Sequence, residues 1–277
     1  MSLASAVYQP LPSTAGIKLL RVQDLSIEVC SPSGDWTEIV HDVSFKLDRG
    51  KTLGIIGESG SGKSLTARAL MGLLPKKSAR VGGGSINFDG EKLGAEGPGS
   101  FATIRGKRIC MVFQDAMSAL NPVLTIGYQI KQILRSRMGL SGLALERRAL
   151  ELLENVHIAK APERLKAYPH EFSGGMRQRV AIAMAIAQSP EILIADEPTT
   201  ALDVTTQRQI LELIMEIQAQ RDLALLLITH DLGVAGYMAD DIAVMHHGRI
   251  LEMTDADRFF SGPDHPYSRK LLESVVS

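Results

Sequence analysis

Apolar residues fall into two rhythms along this chain. In Leu20-Arg21-Val22-Gln23 and Leu25-Ser26-Ile27-Glu28-Val29 they alternate with polar residues, which is the period of a half-buried strand. After a turn at Ser31-Pro32-Ser33-Gly34-Asp35 a second such strand runs through Ile39–Leu47, so the two read as an antiparallel pair. Short continuous apolar runs follow at Thr52–Ile56, Ile109–Phe113, Ile192–Ala195 and Leu223–Ile228, the mark of strands buried on both faces. Between the second and third of these runs the rhythm changes to 3.6. Amphipathic helices are predicted over Ile126–Arg137, Leu143–Val156 and Gly175–Gln188, with Pro122, Gly139, Gly142, Pro162 and Pro169 between them and no strand evident. Val81-Gly82-Gly83-Gly84 reads as a break before a strand at Ser85–Gly90, and Val204–Gln220 reads as a helix. The tail carries a strand pair around Ile242–Met245 and Arg249–Glu252, then helices near Ala256–Ser261 and from Tyr267 onward.

The pattern predicts an α/β fold: a core of mostly parallel sheet, an antiparallel β subdomain before and beside it, and a helical subdomain inserted at about residues 116–188. Residues 1–16, with Pro10, Pro12 and Gly16, read as a flexible arm, residues 17–277 as one domain, and about 255–277 as closing helices.

Between the buried run Thr52–Ile56 and the helix-forming Leu65–Met71 lies Gly57-Glu58-Ser59-Gly60-Ser61-Gly62-Lys63-Ser64. A loop of glycines and serines adds nothing to a core. Its nearly bare backbone can instead wrap N–H groups around phosphate oxygens at a helix N-terminus. Lys63 is placed to reach β- and γ-phosphates and the Ser64 hydroxyl to ligate Mg²⁺. Gln114 closes the run at Ile109–Phe113, and ligands of open α/β sheets gather at the carboxyl ends of strands. Another run ends in Asp196-Glu197, and adjacent buried carboxylates are costly unless partnered. Phosphate-loop enzymes use such a pair, the first acid for the Mg²⁺ shell and the second to polarise water.

Three other positions admit two readings each. His230, at the end of the run Leu223–Ile228, either contacts a γ-phosphate or caps the next helix. Trp36, the single tryptophan, either offers adenine a stacking face or covers its hairpin. Ser173-Gly174-Gly175 opens a helix as a second anion-binding end, and an ordinary capped start explains the serine but not the two glycines. Asp203 reads as a helix N-cap.

Composition narrows the class. Of 277 residues 45% are hydrophobic, enough for a full core, and 30 basic against 31 acidic side chains leave a net charge of −1. There is no basic stripe, so no nucleic-acid partner is expected. Two distant cysteines, Cys30 and Cys110, argue against a disulfide framework and for a reducing compartment. No apolar run approaches the length of a membrane span, so action at a membrane implies a partner that spans it.

Taken in order, the loop at 57–64, Gln114, Ser173-Gly174-Gly175-Met176-Arg177-Gln178, Asp196-Glu197, Ala201-Leu202-Asp203 and His230 resemble the motif set of ABC-transporter ATPase subunits. The resemblance covers roughly residues 17–275. Phe113-Gln114-Asp115-Ala116-Met117-Ser118-Ala119-Leu120-Asn121-Pro122 and His265-Pro266-Tyr267-Ser268-Arg269 are similar to the dipeptide/oligopeptide/nickel importers within that family.

The resemblance implies ATP and Mg²⁺, with Gly57, Glu58, Ser59, Gly60, Ser61, Gly62, Lys63 and Ser64 on the phosphates and Ser64, Gln114 and Asp196 arranging the metal. It implies Glu197 as the base toward water, His230 on the γ-phosphate, and Ser173, Gly174, Gly175 and Asp203 acting across a head-to-tail pair. The implied partners are a second ATPase subunit, identical or sister, an integral membrane permease, and indirectly an extracytoplasmic solute-binding protein. The implied place is the cytoplasmic face of the inner membrane. Peptide cargo is expected, nickel or another metal chelate is the alternative, and a soluble ABC ATPase acting on nucleic acid is the rival from another class. Three departures stand out: Val29 occupies the position where an adenine-stacking aromatic is expected, Met176 stands where many relatives have glutamine, and many peptide-importer ATPases continue past the His-Pro-Tyr segment into a cysteine-bearing extension whereas this sequence stops at Ser277, so no iron–sulfur cluster is expected from it.

Overall fold

The computed structural model describes residues 19–94 and 99–276, so the expected arm over residues 1–16 lies outside the described residues. Among the described residues the strands are β1 (Leu20–Cys30), β2 (Trp36–Leu47), β3 (Thr52–Ile56), β4 (Ala79–Phe88), β5 (Glu91–Leu93), β6 (Ile109–Val112), β7 (Ile192–Asp196), β8 (Ala224–Thr229), β9 (Asp241–His246) and β10 (Arg249–Asp255). They form two sheets. One, in the order β2-β1-β4-β5, is antiparallel; the other runs β10-β9-β3-β8-β7-β6 and is parallel from β9 to β6.

Every residue of β3, β7 and β8 is buried, which is why these strands appear in the sequence as unbroken apolar runs rather than alternations. The sheets face each other through a shared core in which Leu20, Ile27 and Phe88 of the antiparallel sheet join Ile55, Ile194 and Leu226 of the parallel one. Around its polar edge, Arg49 and Arg108 bridge Asp89 and Glu191, so each acid draws on both guanidinium groups. Between β6 and β7 every regular element is a helix, with Ile126–Met138, Gly142–Asn155 and Gly174–Ile186 the long members. Their apolar faces join the other side of β6, β7 and β8 in a second core.

The structure departs from the sequence expectation in the antiparallel sheet. The glycine run read as a break is inside β4, and Ser26 of β1 pairs with Gly83 across a register shift. The reason is close backbone approach: Gly84 has φ +85°, and a Cβ there would lie 2.3 Å from the Asp24 carbonyl oxygen. The strand β5 and the helices Gly99–Ile104 and Ala116–Ala119 are too short to leave a periodic signal. Gly84→Ala is therefore expected to destabilise the protein by about 1–3 kcal/mol, the cost of forcing a side chain into a disfavoured backbone region, read as a lowered midpoint in urea unfolding.

Candidate functional site

The adjacent parallel strands β3, β8, β7 and β6 end on one rim. Their carboxyl ends carry, in that spatial order, the 57–64 loop, His230, Asp196-Glu197 and Gln114. These segments, far apart in sequence, enclose a cleft of about 730 Å³. A groove of similar size, about 760 Å³, lies among the inserted helices and is lined by Lys131, Arg135 and Lys166, but none of the motif residues reaches it. The chemistry sits in the former.

The loop is shaped by its glycines. Gly57 and Gly62 take φ of +152° and +105°, and a Cβ on Gly57 would meet the Met245 carbonyl oxygen at 2.0 Å. Gly62 is the N-cap of the helix Lys63–Leu70 and supplies no side-chain cap, so the first-turn N–H groups face the cleft as donors for an anion. Lys63 is buried and donates from Nζ to the carbonyls of Gly57 (2.7 Å) and Glu58 (2.8 Å) and to Ser61 Oγ (3.3 Å). Three donors on three loop acceptors brace the loop from within. Burial lowers the Lys63 pKa, and the nearby charges of Glu197 and Asp196 work against that shift. Glu58, Ser59, Gly60 and Ser64 line the cleft, whereas Ser61 turns inward and accepts the Gly248 N–H on its carbonyl.

Ser64 Oγ donates to Asp196 Oδ1 at 2.8 Å. Asp196 is buried, and desolvation raises its pKa despite that hydrogen bond. A hydroxyl and a desolvated carboxylate meeting beside a phosphate loop are hard oxygen donors of the type Mg²⁺ takes from a protein, with phosphates and waters completing its shell.

Glu197 follows in a left-handed conformation, φ +49°, a costly region for a non-glycine residue. It is held there at both ends. Its N–H donates to the Ile228 carbonyl at 2.8 Å, while its carboxylate accepts from Gln114 Nε2 (2.8 Å), Thr200 Oγ1 (2.9 Å) and His230 Nδ1 (3.0 Å). Because a carboxylate only accepts, the His230 ring carries its proton on Nδ1 in this contact. Asp231, rather than His230, caps the next helix, accepting from Gly233 and Val234. The histidine is thereby left to the cleft.

The structure brings together Gly57–Ser64, Gln114, Asp196, Glu197 and His230. It places Ser173, Gly174, Gly175, Asp203 and Trp36 outside this cleft. Ser173 caps the helix Gly174–Ile186 and Asp203 caps Val204–Arg221. The two glycines have a packing reason that a serine cap alone does not supply: Cβ atoms on Gly174 and Gly175 would meet Leu202 at 3.3 Å and Thr206 at 2.3 Å. Trp36 starts β2 beneath the Arg80 guanidinium, 4.1 Å from the ring centroid.

Sequence reasoning assigned no role to Thr200, Ile39 or Leu271, all of which line the cleft. Thr200 had a readable signal, a hydroxyl three residues beyond Glu197 with Pro198 turning the chain between them. Leu271 had none, because only the fold brings it near.

A braced lysine under a glycine-rich loop, a Ser/Asp oxygen pair and a carboxylate held by Gln and His at neighbouring strand ends fit a phosphate-loop nucleoside triphosphatase of the ATP-binding cassette class. The ABC transporter family model matches residues 40–200, and the chain belongs to that family. It is 48% identical to the oligopeptide transport ATP-binding protein OppD of Bacillus subtilis over 93% of this chain and 72% of that protein. It is 49% identical to the dipeptide transport ATP-binding protein DppD of the same organism, over 93% and 77%. Among solved structures, the dimeric ATP-binding cassette MJ0796 in a post-hydrolysis state with ADP and Pi aligns with a TM-score of 0.74 at 27% identity, covering 86% of this chain and 98% of that one. CbiO1 of Clostridium perfringens, part of the transporter complex CbiONQ, aligns with a TM-score of 0.75 at 25% identity, over 88% and 91%. The protein is an ATP-binding subunit of an ABC transporter.

Thr200→Val removes the hydroxyl at nearly constant volume and frees one of three side-chain holds on Glu197. A hydrogen bond to a charged group contributes about 1.5–3 kcal/mol, so kcat is expected to fall about tenfold with ATP affinity unchanged, and Thr200→Ser to restore it; steady-state kinetics beside equilibrium nucleotide binding checks both.

Proposed function

We propose that this chain hydrolyses ATP to energise peptide import, working as one of two ATPase subunits, identical or sister, on the cytoplasmic face of a membrane permease that receives peptide from an extracytoplasmic solute-binding protein. The observation that carries the reading is the divided machinery. Phosphate loop, Ser64 with its partner Asp196, and Glu197 meet at one cleft, while Ser173–Gly175 and Asp203, capped helix starts of the same motif set, lie outside it. A head-to-tail partner supplies the second half: its Ser173–Gly175 helix start covers the γ-phosphate bound by the first subunit's loop. The peptide transport named for relatives at 48% and 49% identity favours peptide over chelated metal as cargo.

In the hydrolysis step Lys63 and the first-turn N–H groups stabilise the growing phosphate charge. Ser64 and Asp196, with Gln114, would hold Mg²⁺, whose role when bound is to neutralise phosphate charge. Glu197 accepts a proton from the attacking water, and His230 holds the γ-phosphate and loses that contact when it leaves. No helix among the described residues is long and apolar enough to cross a membrane, so the work passes to the permease through a contact surface. The segment after Gln114 is the proposed route, since it leaves the cleft directly and turns through the Asp115-capped helix Ala116–Ala119.

Glu197→Gln is expected to keep ATP binding, to lower turnover at least a hundredfold, and to trap a dimer with its partner subunit in ATP and Mg²⁺, measured by phosphate release and light scattering. Undiminished hydrolysis removes Glu197 from the base role. Lys63→Ala is expected to abolish ATP binding in an equilibrium assay.

A further inference from the structure

The phosphate half of the cleft is densely polar, yet among the described residues no aromatic ring lines its other half. Val29 and Trp36, the two positions at which the sequence directs attention, both lie elsewhere, and the ring of Trp36 is already covered by Arg80. The apolar side chains on the cleft wall are Ile39, Leu65 and Leu271. Leu65 follows Ser64 in the first turn of the phosphate-binding helix, which leaves Ile39 and Leu271 for a flat, apolar base.

Both are delivered by deliberate local structure. On β2, Glu38 pairs with Glu28 and Val40 with Ile27, so Ile39 is the extra residue of a β-bulge. Bulges re-aim a side chain out of the ladder, and Ile39 is 37% exposed. The bulge is locked in place, since His41 N–H donates to the Gly248 carbonyl at 2.8 Å and Gly248 N–H donates to the Ser61 carbonyl at 3.0 Å. The seat is tied to the phosphate loop itself.

Leu271 arrives on the helix Pro266–Val276, which is clamped at its start. Glu252 accepts the N–H groups of Asp264 (2.8 Å) and His265 (3.1 Å), and Arg269 donates to the carbonyls of Pro263 (2.9 Å) and Asp264 (2.8 Å). Tyr267 packs its ring on His246, at the end of β9, with centroids 3.9 Å apart. Its hydroxyl lies close enough to Glu58 of the phosphate loop for that charge, added to burial, to raise its pKa. Leu271 is four residues on, one turn along the same helix face. The His265-Pro266-Tyr267-Ser268-Arg269 segment thereby anchors the start of the helix that carries Leu271.

We propose that the nucleotide base is gripped by an aliphatic pair, Ile39 from the β2 bulge and Leu271 from the clamped C-terminal helix, in place of an aromatic platform. This rests on the nucleotide reading of the cleft. It makes the closing helix a part of the substrate site.

The test compares ATP with inorganic tripolyphosphate, which offers the loop the same phosphates and no base. For Leu271→Asp and for Ile39→Asp, ATP affinity is expected to fall at least tenfold while tripolyphosphate affinity stays within twofold of wild type, which also certifies the fold. Should an aspartate variant not fold, Leu271→Ala and Ile39→Ala carry the same test, with an expected fall of about fivefold for ATP alone. The proposal is overturned if the variants bind ATP within twofold of wild type, if ATP and tripolyphosphate weaken together in a folded variant, or if Trp36→Ala is the change that selectively weakens ATP. Failure of the underlying nucleotide reading looks different: Lys63→Ala would then leave both probes bound.

Discussion

The site depends on one constrained carboxylate. Glu197 stands in a left-handed backbone conformation that no propensity favours, and it stays there because its N–H is bonded to β8 and its side chain accepts from three segments at once. Those donors, Gln114, Thr200 and His230, come from the ends of β6 and β8 and from the turn after β7. The parallel sheet must be in register for Gln114 and His230 to reach. Asp196 pairs with Ile228 and Ala195 with Val112, so a slip of one residue in β7 would part the carboxylate from Gln114 and His230 and turn a buried strand's side chains over. The apolar runs of β3, β7 and β8 are what hold that register, and so the core sets the site's geometry.

How much of this was legible follows from the kind of signal each part leaves. Continuous burial writes itself as an apolar run, and the four central strands were read within a residue or two. The phosphate loop was readable because its glycines are there for backbone geometry, and their φ values of +152°, +81° and +105° are the reason. The antiparallel sheet was read less well. Gly82, Gly83 and Gly84 look like a breaker, yet they are in β4, where a Cβ on Gly84 would strike the Asp24 backbone and those on Gly82 and Gly83 would crowd the Glu28 and Ser26 side chains. Ile39 sits in an ordinary alternation and becomes distinctive only through a bulge that appears when β1 is laid beside it. Leu271 lies over two hundred residues from Gly62 in a helix with no local peculiarity, and no periodicity rule can place it. Contacts made by tertiary approach leave no trace in a one-dimensional pattern.

Ser173, Gly175 and Asp203 illustrate a second limit. Each has an adequate explanation inside one chain: two are side-chain caps, and Gly175 makes room for Thr206. Yet that packing has a consequence. It fixes the helix starting at Gly174 against the helix starting at Val204, so the two capped ends form one rigid block beside the Glu197 turn. Leu202, which Gly174 accommodates, lies five residues from Glu197. In the proposed pair, a partner's nucleotide touching the Ser173 end is mechanically near this subunit's own base.

Two side chains at the centre of the site, Lys63 and Glu197, are braced by the protein itself, and that bears on how the site can switch. Lys63 has three acceptors and Glu197 three side-chain donors in the described structure, so at these two side chains a nucleotide replaces contacts, while the uncapped first-turn N–H groups after Gly62 gain new ones. An exchange of this type yields only the difference between old and new hydrogen bonds, which within a single subunit is small beside the roughly 5.5 kcal/mol needed to move a conformational equilibrium from 1:99 to 99:1. Contacts contributed by a second subunit are not part of that exchange, because nothing in one chain pre-empts them. Charge-assisted bonds at about 1.5–3 kcal/mol apiece, two or three of them across an interface, reach the required range. In the proposed pair, closure draws on the partner's contacts, and loss of the γ-phosphate removes those together with the contacts of Lys63 and His230 within the subunit. A site braced against itself is suited to being switched from outside.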